Sequence, residues 1–215
     1  MPSDVGIANL ALTKLGATRI LSLGDASAQA RVMNAIYTSV RDAELRRYRW
    51  KFAITRTQLS ALVAAPDWGY QYQYPLPADF LHLVQVNEWY FRGGKWKAPW
   101  SVERGHILTN IQAPLKIRYV ARITDPQQFD ALFTEMFACK LAWEACEQIT
   151  QSSSKKQDVQ NEYKFAKDEA FRQDAIENPP DEMPWGSWLD SREHDGCWNV
   201  NATDGGMFPS GFEVL

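Results

Sequence analysis

Chemistry in this chain would have to come from His82, His106, His194, three cysteines and 26 carboxylates. None of the histidines has a second histidine three or four residues away, the spacing that puts two imidazole ligands on one helix face. Cys139, Cys146 and Cys197 are odd in number and fit no metal or disulfide framework. Cys139 and Cys146 fall seven residues apart, so on a helix they share a face and read as small apolar residues. Unpaired cysteines fit a reducing compartment. No phosphate-binding glycine loop, nucleophile elbow or zinc-protease motif is present. Two carboxylates facing each other across a cleft can hydrolyse glycosides, but nothing in the spacing pairs any two here. The sequence therefore reads as a non-enzyme, with no catalytic residue, no cofactor and no metal.

What remains is binding. The densest charge cluster is Arg41, Arg46, Arg47, Arg49, Lys51 and Arg56, interleaved with Tyr48, Trp50 and Phe52. Such interleaving can bind nucleic acid through phosphate contacts and stacking, or meet an acidic protein surface. It also has a purely structural meaning. Arg46, Arg47 and Arg49 fall at an expected helix C-terminus, where cations favour the dipole. Trp50 and Phe52 would then fill the core at a helix-to-strand corner.

A second binding candidate is the last 39 residues, Glu177 to Leu215, which open on the breaker Asn178-Pro179-Pro180. They hold 5 of the 12 glycines and 4 of the 11 prolines, yet also Trp185, Trp188, Trp198, Phe208 and Phe212. Chains that stay unfolded are usually poor in aromatics, so these side chains are expected to be buried by another surface. The segment carries eight acidic residues against Arg192 alone, while residues 1–176 carry 22 basic and 18 acidic groups. An acidic arm and a mildly basic body attract one another, within or between subunits. Fully extended, 39 residues reach about 130 Å. No secretory signal and no apolar run of membrane-spanning length is seen.

The elements that position these groups follow from periodicity. Residues 3–16 read as a helix capped by Ser3 or Asp4 and closed by Gly16. Asp25 is expected to cap a longer helix running to about Tyr48, with Met33, Ile36, Tyr37, Val40 and Ala43 on its apolar line. Residues 52–59 change to a strand, and Tyr70, Tyr72 and Tyr74 alternate with polar residues as a half-buried strand does. Further strands are expected at 82–89, 95–100, 102–109 and 116–120, with Gly93-Gly94 turning one hairpin. Tyr74-Pro75-Leu76-Pro77-Ala78-Asp79-Phe80-Leu81 is extended by its prolines and reads as a corner, with Asp79 accepting backbone hydrogen bonds. Asp125-Pro126 is expected to open a helix striped with Phe129, Leu132, Met136, Cys139, Trp143 and Cys146. Ser152-Ser153-Ser154 interrupts it. A more polar helix follows to about Ile176, with Lys164, Asp168 and Arg172 spaced to pair. The expected fold is α+β. Residues 1–49 and 124–176 form a bundle of N- and C-terminal helices, 50–123 an inserted small antiparallel sheet, and 177–215 an extended C-terminal arm.

Several of these strings together resemble the tail tubular protein A family of short-tailed bacteriophages. They are Ile7–Gly16, Leu21–Asp25, Arg49-Trp50-Lys51-Phe52, the Tyr74–Leu81 corner, Phe129–Ile149 and Ser187–Arg192. The likeness lies in their order and spacing over residues 3–192. It implies a structural virion protein, a ring-forming adaptor joining the portal to the tail nozzle and leaving a channel for DNA. The implied partners are the portal protein, the nozzle protein and copies of itself, usually twelve, with DNA passing unread and no membrane. The implied location is the virion neck, after synthesis in the host cytoplasm. A head-completion or stopper protein of another tailed phage is the alternative, and a DNA-binding module a further one. Trp185, Trp188, Arg192, Trp198, Phe208, Phe212, Arg46, Arg47 and Arg49 are the candidate partner-binding residues.

Overall fold

A computed structural model of the chain describes residues 3–87, 89–90 and 99–177. Ser3 opens the first helix, α1 (Asp4–Leu15), by accepting the Gly6 N–H at 3.0 Å. Gly16 ends it at φ 70°, a left-handed geometry that glycine adopts without a Cβ penalty. The second helix, α2 (Ala28–Arg47), is capped by Ser27 rather than Asp25. The Asp25 carboxylate is used two residues earlier, accepting the backbone N–H groups of Leu21 and Ser22 at 2.9 and 3.0 Å. It closes the Leu21–Asp25 loop and leaves the cap to the next hydroxyl.

A short 3₁₀ turn, Lys51–Ala53, converts the chain from helix to strand, so the strand β1 starts only at Ile54 and runs to Leu59. The others are β2 (Tyr72–Pro75), β3 (Phe80–Val86), β4 (Trp89–Tyr90), β5 (Trp100–Glu103), β6 (His106–Thr109) and β7 (Leu115–Ala121). The expected single strand over 102–109 is instead a hairpin. Arg104 and Gly105 both have positive φ, 46° and 81°, and turn β5 back onto β6. Two positive φ values in succession match the twist of a two-residue hairpin. The Gly93-Gly94 turn lies outside the described residues.

The strands form two antiparallel sheets rather than one, with orders β1-β7-β3-β4 and β2-β6-β5. The alternation along β7 explains why. Leu115, Ile117, Tyr119 and Ala121 point one way, into a core shared with Tyr74, Trp100 and Ile107 of the smaller sheet. Val120 points the other way, into the helical core with Leu81 and Val84. The four-stranded sheet thus has apolar groups on both faces and is covered by helices on one and a sheet on the other. Two register shifts in β3, between Phe80 and His82 and between Leu83 and Gln85, put both Leu81 and Val84 on the helical side.

Asp125-Pro126 opens only a 3₁₀ turn, Pro126–Gln128. The long helix α3 (Ala131–Thr150) begins after a second cap, Asp130, which accepts the Leu132 and Phe133 N–H groups. Phe129 therefore precedes the helix, yet it is still buried in the core. Phe133, Met136, Phe137, Cys139, Leu141, Ala142 and Cys146 are almost wholly buried, as expected for a helix apolar on most sides. α3 packs against α1, α2 and the last helix, α4 (Ser153–Ile176), capped by Ser152. On α4, Arg172 pairs with Glu169 at 2.7 Å and Asp168 with Lys167 at 3.5 Å, so the four-residue pairing of Lys164, Asp168 and Arg172 does not form. The architecture is α+β: among the described residues, four α-helices and an inserted antiparallel β region. The C-terminal arm lies outside the described residues.

Candidate functional site

The basic and aromatic run at the end of α2 is divided by the fold into separate jobs. Arg41 is buried beside its own neighbour Asp42, whose carboxylate also receives Arg122 at 2.7 Å. That joins the end of β7 to α2. Arg46 is exposed along most of its length and donates from Nη1 to the Leu81 carbonyl of β3. Arg47 turns back to Glu44 at 3.3 Å. Arg49 is exposed. Lys51 donates its backbone N–H to Asp174 at 3.2 Å and its ammonium lies 4.0 Å from Glu177. Of the three arginines expected to bind a partner, Arg46 and Arg47 therefore hold the protein's own groups, and Arg49 is left to solvent.

Of the aromatics in the same run Trp50 is interior, while Tyr48 and Phe52 are half-buried against the core. Trp50 is 2% exposed, lies edge-on to Phe133 at 5.0 Å, and donates its indole N–H to the Glu44 carbonyl at 3.0 Å. Phe52 meets Phe133 and Phe129 at 5.0 and 6.0 Å, and Tyr48 stacks on Phe171 of α4 at 4.4 Å. Rings in a core of this kind are not available to stack on bases. The structural meaning of Trp50 and Phe52 is the one the fold adopts.

Glu44 is a buried carboxylate beneath this surface. Its side chain is fully buried, and its carboxylate accepts the Tyr163 hydroxyl at 3.1 and 3.2 Å. Burial raises its pKa above the usual carboxylate value, while Arg47, the Tyr163 bond, Lys140 and Lys167 act against that rise. Lys140 of α3 sits 3.8 Å over the Trp143 ring and pairs with Glu144. The set joins α2, α3 and α4. It reads as a satisfied internal network.

The Tyr74–Leu81 string is a corner linking the two sheets, as expected. Its Asp79 behaves differently from expectation: the carboxylate accepts the Tyr119 hydroxyl of β7 at 3.0 Å instead of turn N–H groups. Burial, then the Asp79 bond, pushes the Tyr119 pKa up to about 12. Phe80 stacks on the same tyrosine at 5.9 Å. His82 is half-buried in β3, and burial followed by Arg46 and Arg49 lowers its pKa. His106 lies in β6 of the other sheet. Among the described residues no group of three or more His, Cys, Asp or Glu is placed to hold a metal ion. None of their helices is long and apolar enough to cross a membrane.

Two surface features remain that have no work inside the fold. The first is a scatter of large apolar side chains: Leu21 is 93% exposed, Val63 107%, Trp68 86%, Phe165 76% and Ile176 67%. Val63 and Trp68 belong to the loop between β1 and β2. The second is a cavity of about 370 Å³ on the four-stranded sheet, lined by Arg56, Gln58, Gln85, Asn87, Lys116 and Arg118 together with Thr57 and Ile117. Of these only Arg56 stood out in the sequence. The signal for Lys116 and Arg118 was their alternation with Leu115, Ile117 and Tyr119, but their placement opposite Arg56 depends on strand register. Trp185, Trp188, Arg192, Trp198, Phe208 and Phe212 lie outside the described residues. No model of a known protein family matches the chain, and a search of curated proteins finds no match.

Proposed function

We propose that the protein is a structural virion component, a ring-forming adaptor between the portal and the tail nozzle of a short-tailed phage. The resemblance in the order and spacing of its motifs suggests this reading. The observation that carries it is the set of large apolar side chains on the surface, with Val63 and Trp68 together on one loop. Single exposed apolar residues are ordinary, but a loop that exposes both a valine and a tryptophan offers apolar surface that a partner can cover. The residues that carry the resemblance are meanwhile spent on the fold itself. Asn9 ties α1 to Ile20, Asp25 closes the following loop, Trp50 fills the core, and Asp79 holds the sheet corner. That use suits a scaffold better than a reaction centre.

In this reading each copy meets the next head-to-tail, and the contact closes because its rotation divides the circle. Trp185 and Trp188 of the C-terminal segment are the proposed anchors on a neighbouring component. Sedimentation velocity on the full chain, alone and with the portal protein of the same virion, tests the proposal. It predicts a ring-sized species or co-sedimentation with the portal. A chain that stays monomeric and never joins the portal overturns it.

A further inference from the structure

The cavity on the four-stranded sheet holds three cationic side chains, Arg56, Lys116 and Arg118, beside the amides of Gln58, Gln85 and Asn87. The register of β1, β7 and β3 puts Arg56, Arg118 and Gln85 in one row across the sheet. Gln58 and Lys116 form the next row, and Asn87 closes it by donating its N–H to the Lys116 carbonyl at 2.7 Å. The row before them, Ile54, Val120 and His82, runs under the helices, so the polar rows are the part of that face the helices leave open. Arg56 and Arg118 are direct cross-strand partners. Like charges in that relation repel and cost stability. Among the described residues, none of Arg56, Lys116 and Arg118 is ion-paired with a carboxylate. Arg118 Nε, moreover, is the one buried side-chain nitrogen or oxygen among the described residues that has no hydrogen-bond partner. An unmade bond at a buried charged donor is costly. Two uncompensated costs at one spot, inside a cavity, fit a site for an anion.

We propose that this shelf binds a phosphoryl anion, free or carried on a larger molecule, held by the Arg56 and Arg118 guanidinium groups and the Lys116 ammonium. A single carboxylate is satisfied by one arginine fork. Three cations from two adjacent strands offer more donors than its two oxygens accept, whereas a phosphate presents oxygens on several sides. The cavity of about 370 Å³ is larger than one phosphate and leaves room for what the group is attached to. Among the described residues that line it none is aromatic, so those residues hold a phosphate and do not stack on a base. Two sources share this chemistry: a free phosphate or phosphomonoester, and the phosphodiester backbone of a nucleic acid. The inference stands on the sheet alone and does not depend on the adaptor reading.

The test uses the full chain with its arginine side chains labelled, following the Nε–Hε resonance of Arg118 by NMR. Inorganic phosphate, a short DNA duplex and poly-glutamate are titrated separately. The Arg118 signal is expected to shift and saturate with phosphate, with the duplex, or with both. Saturation by phosphate alone identifies the free anion, and tighter saturation by the duplex identifies the backbone. With three phosphate contacts, duplex affinity falls about 40-fold between 50 and 200 mM salt, and in R56Q or K116Q the fall shrinks to about 12-fold. In the phosphate arm, either variant weakens binding about tenfold. Arg56 and Lys116 are exposed, so these two variants leave the half-buried Arg118 and the fold around it in place. No shift with phosphate or duplex, binding unchanged in both variants, or preferential saturation by poly-glutamate overturns the proposal. The last outcome would assign the shelf to an acidic protein surface instead.

Discussion

Replacing Asn9 by alanine should unfasten the loop that follows α1. The Asn9 side chain makes two hydrogen bonds to one residue: its Nδ2 donates to the Ile20 carbonyl at 2.9 Å, and its Oδ1 accepts the Ile20 N–H at 2.8 Å. Ile20 is 4% exposed and belongs to the helical core, so water has poor access to the backbone groups left behind. Each lost bond is worth about 1 kcal/mol net, and a buried group left unpaired adds a penalty that can itself reach 1–3 kcal/mol. Because the site is only partly buried, about 3 kcal/mol in total is the expected loss. For a chain of this size that corresponds to a fall in Tm of roughly 6–12 °C. Urea unfolding followed by circular dichroism measures it, with a lower midpoint at unchanged slope. Thr13→Val is the control. It removes an exposed bond from the Thr13 hydroxyl to the Asn9 carbonyl at 2.7 Å, and should cost under about 0.5 kcal/mol. An Asn9→Ala protein within about 0.5 kcal/mol of the parent would show that packing alone holds Ile20, and that the clasp carries no weight.

Other consequences follow from buried groups and backbone geometry. Phe133→Ala empties the centre of a ring cluster that includes Trp50, Phe52, Phe129 and Phe137, and should cost about 3–5 kcal/mol in the same urea experiment. Gly105 sits at φ 81° with nothing within 4 Å of where a Cβ would stand, so Gly105→Ala tests strain without a clash and should cost about 1–2 kcal/mol. Glu44 has a raised pKa in the fold, so between its ordinary value of 4.5 and the raised value the folded state binds the extra proton. The stability this proton confers is complete below 4.5 and lost as pH climbs through the raised value. Glu44→Gln keeps a neutral side chain there at all pH. The stability of the parent relative to this variant should therefore decline with rising pH, whereas parallel profiles would contradict the burial argument.

The helices were the most legible part of the fold, because capping and a 3.6-residue period are local. Ser3, Gly16 and Ser152 stand where helix ends are wanted, and the apolar residues of α3 announce a central helix. The errors came where two local signals competed. Asp25 and Ser27 are both good caps, and only the backbone path of the Leu21–Asp25 loop decides that Asp25 is spent on it. Asp125-Pro126 and Asp130 are likewise both helix openers, and the first is used for a 3₁₀ turn. The division into two sheets was hidden because it depends on which strands pair across long stretches of sequence. The Arg104-Gly105 turn was missed because arginine is not a residue that advertises a positive φ.

For the candidate site the same logic holds. Composition singled out Arg46, Arg47 and Arg49, but their partners, the Leu81 carbonyl and Glu44, are set by tertiary packing. The Arg56, Lys116 and Arg118 shelf could not be seen without register, since Arg56 and Arg118 stand far apart in sequence and face each other only in the sheet.

The central claim, that this is a ring-forming adaptor, is tested most directly by imaging. Full-length protein mixed with the portal of the same virion is examined by electron microscopy with rotational averaging. The account predicts a ring of repeated copies seated on one end of the portal, with an open channel on the shared axis. Portal particles without added density, beside free single copies of this chain, would contradict it.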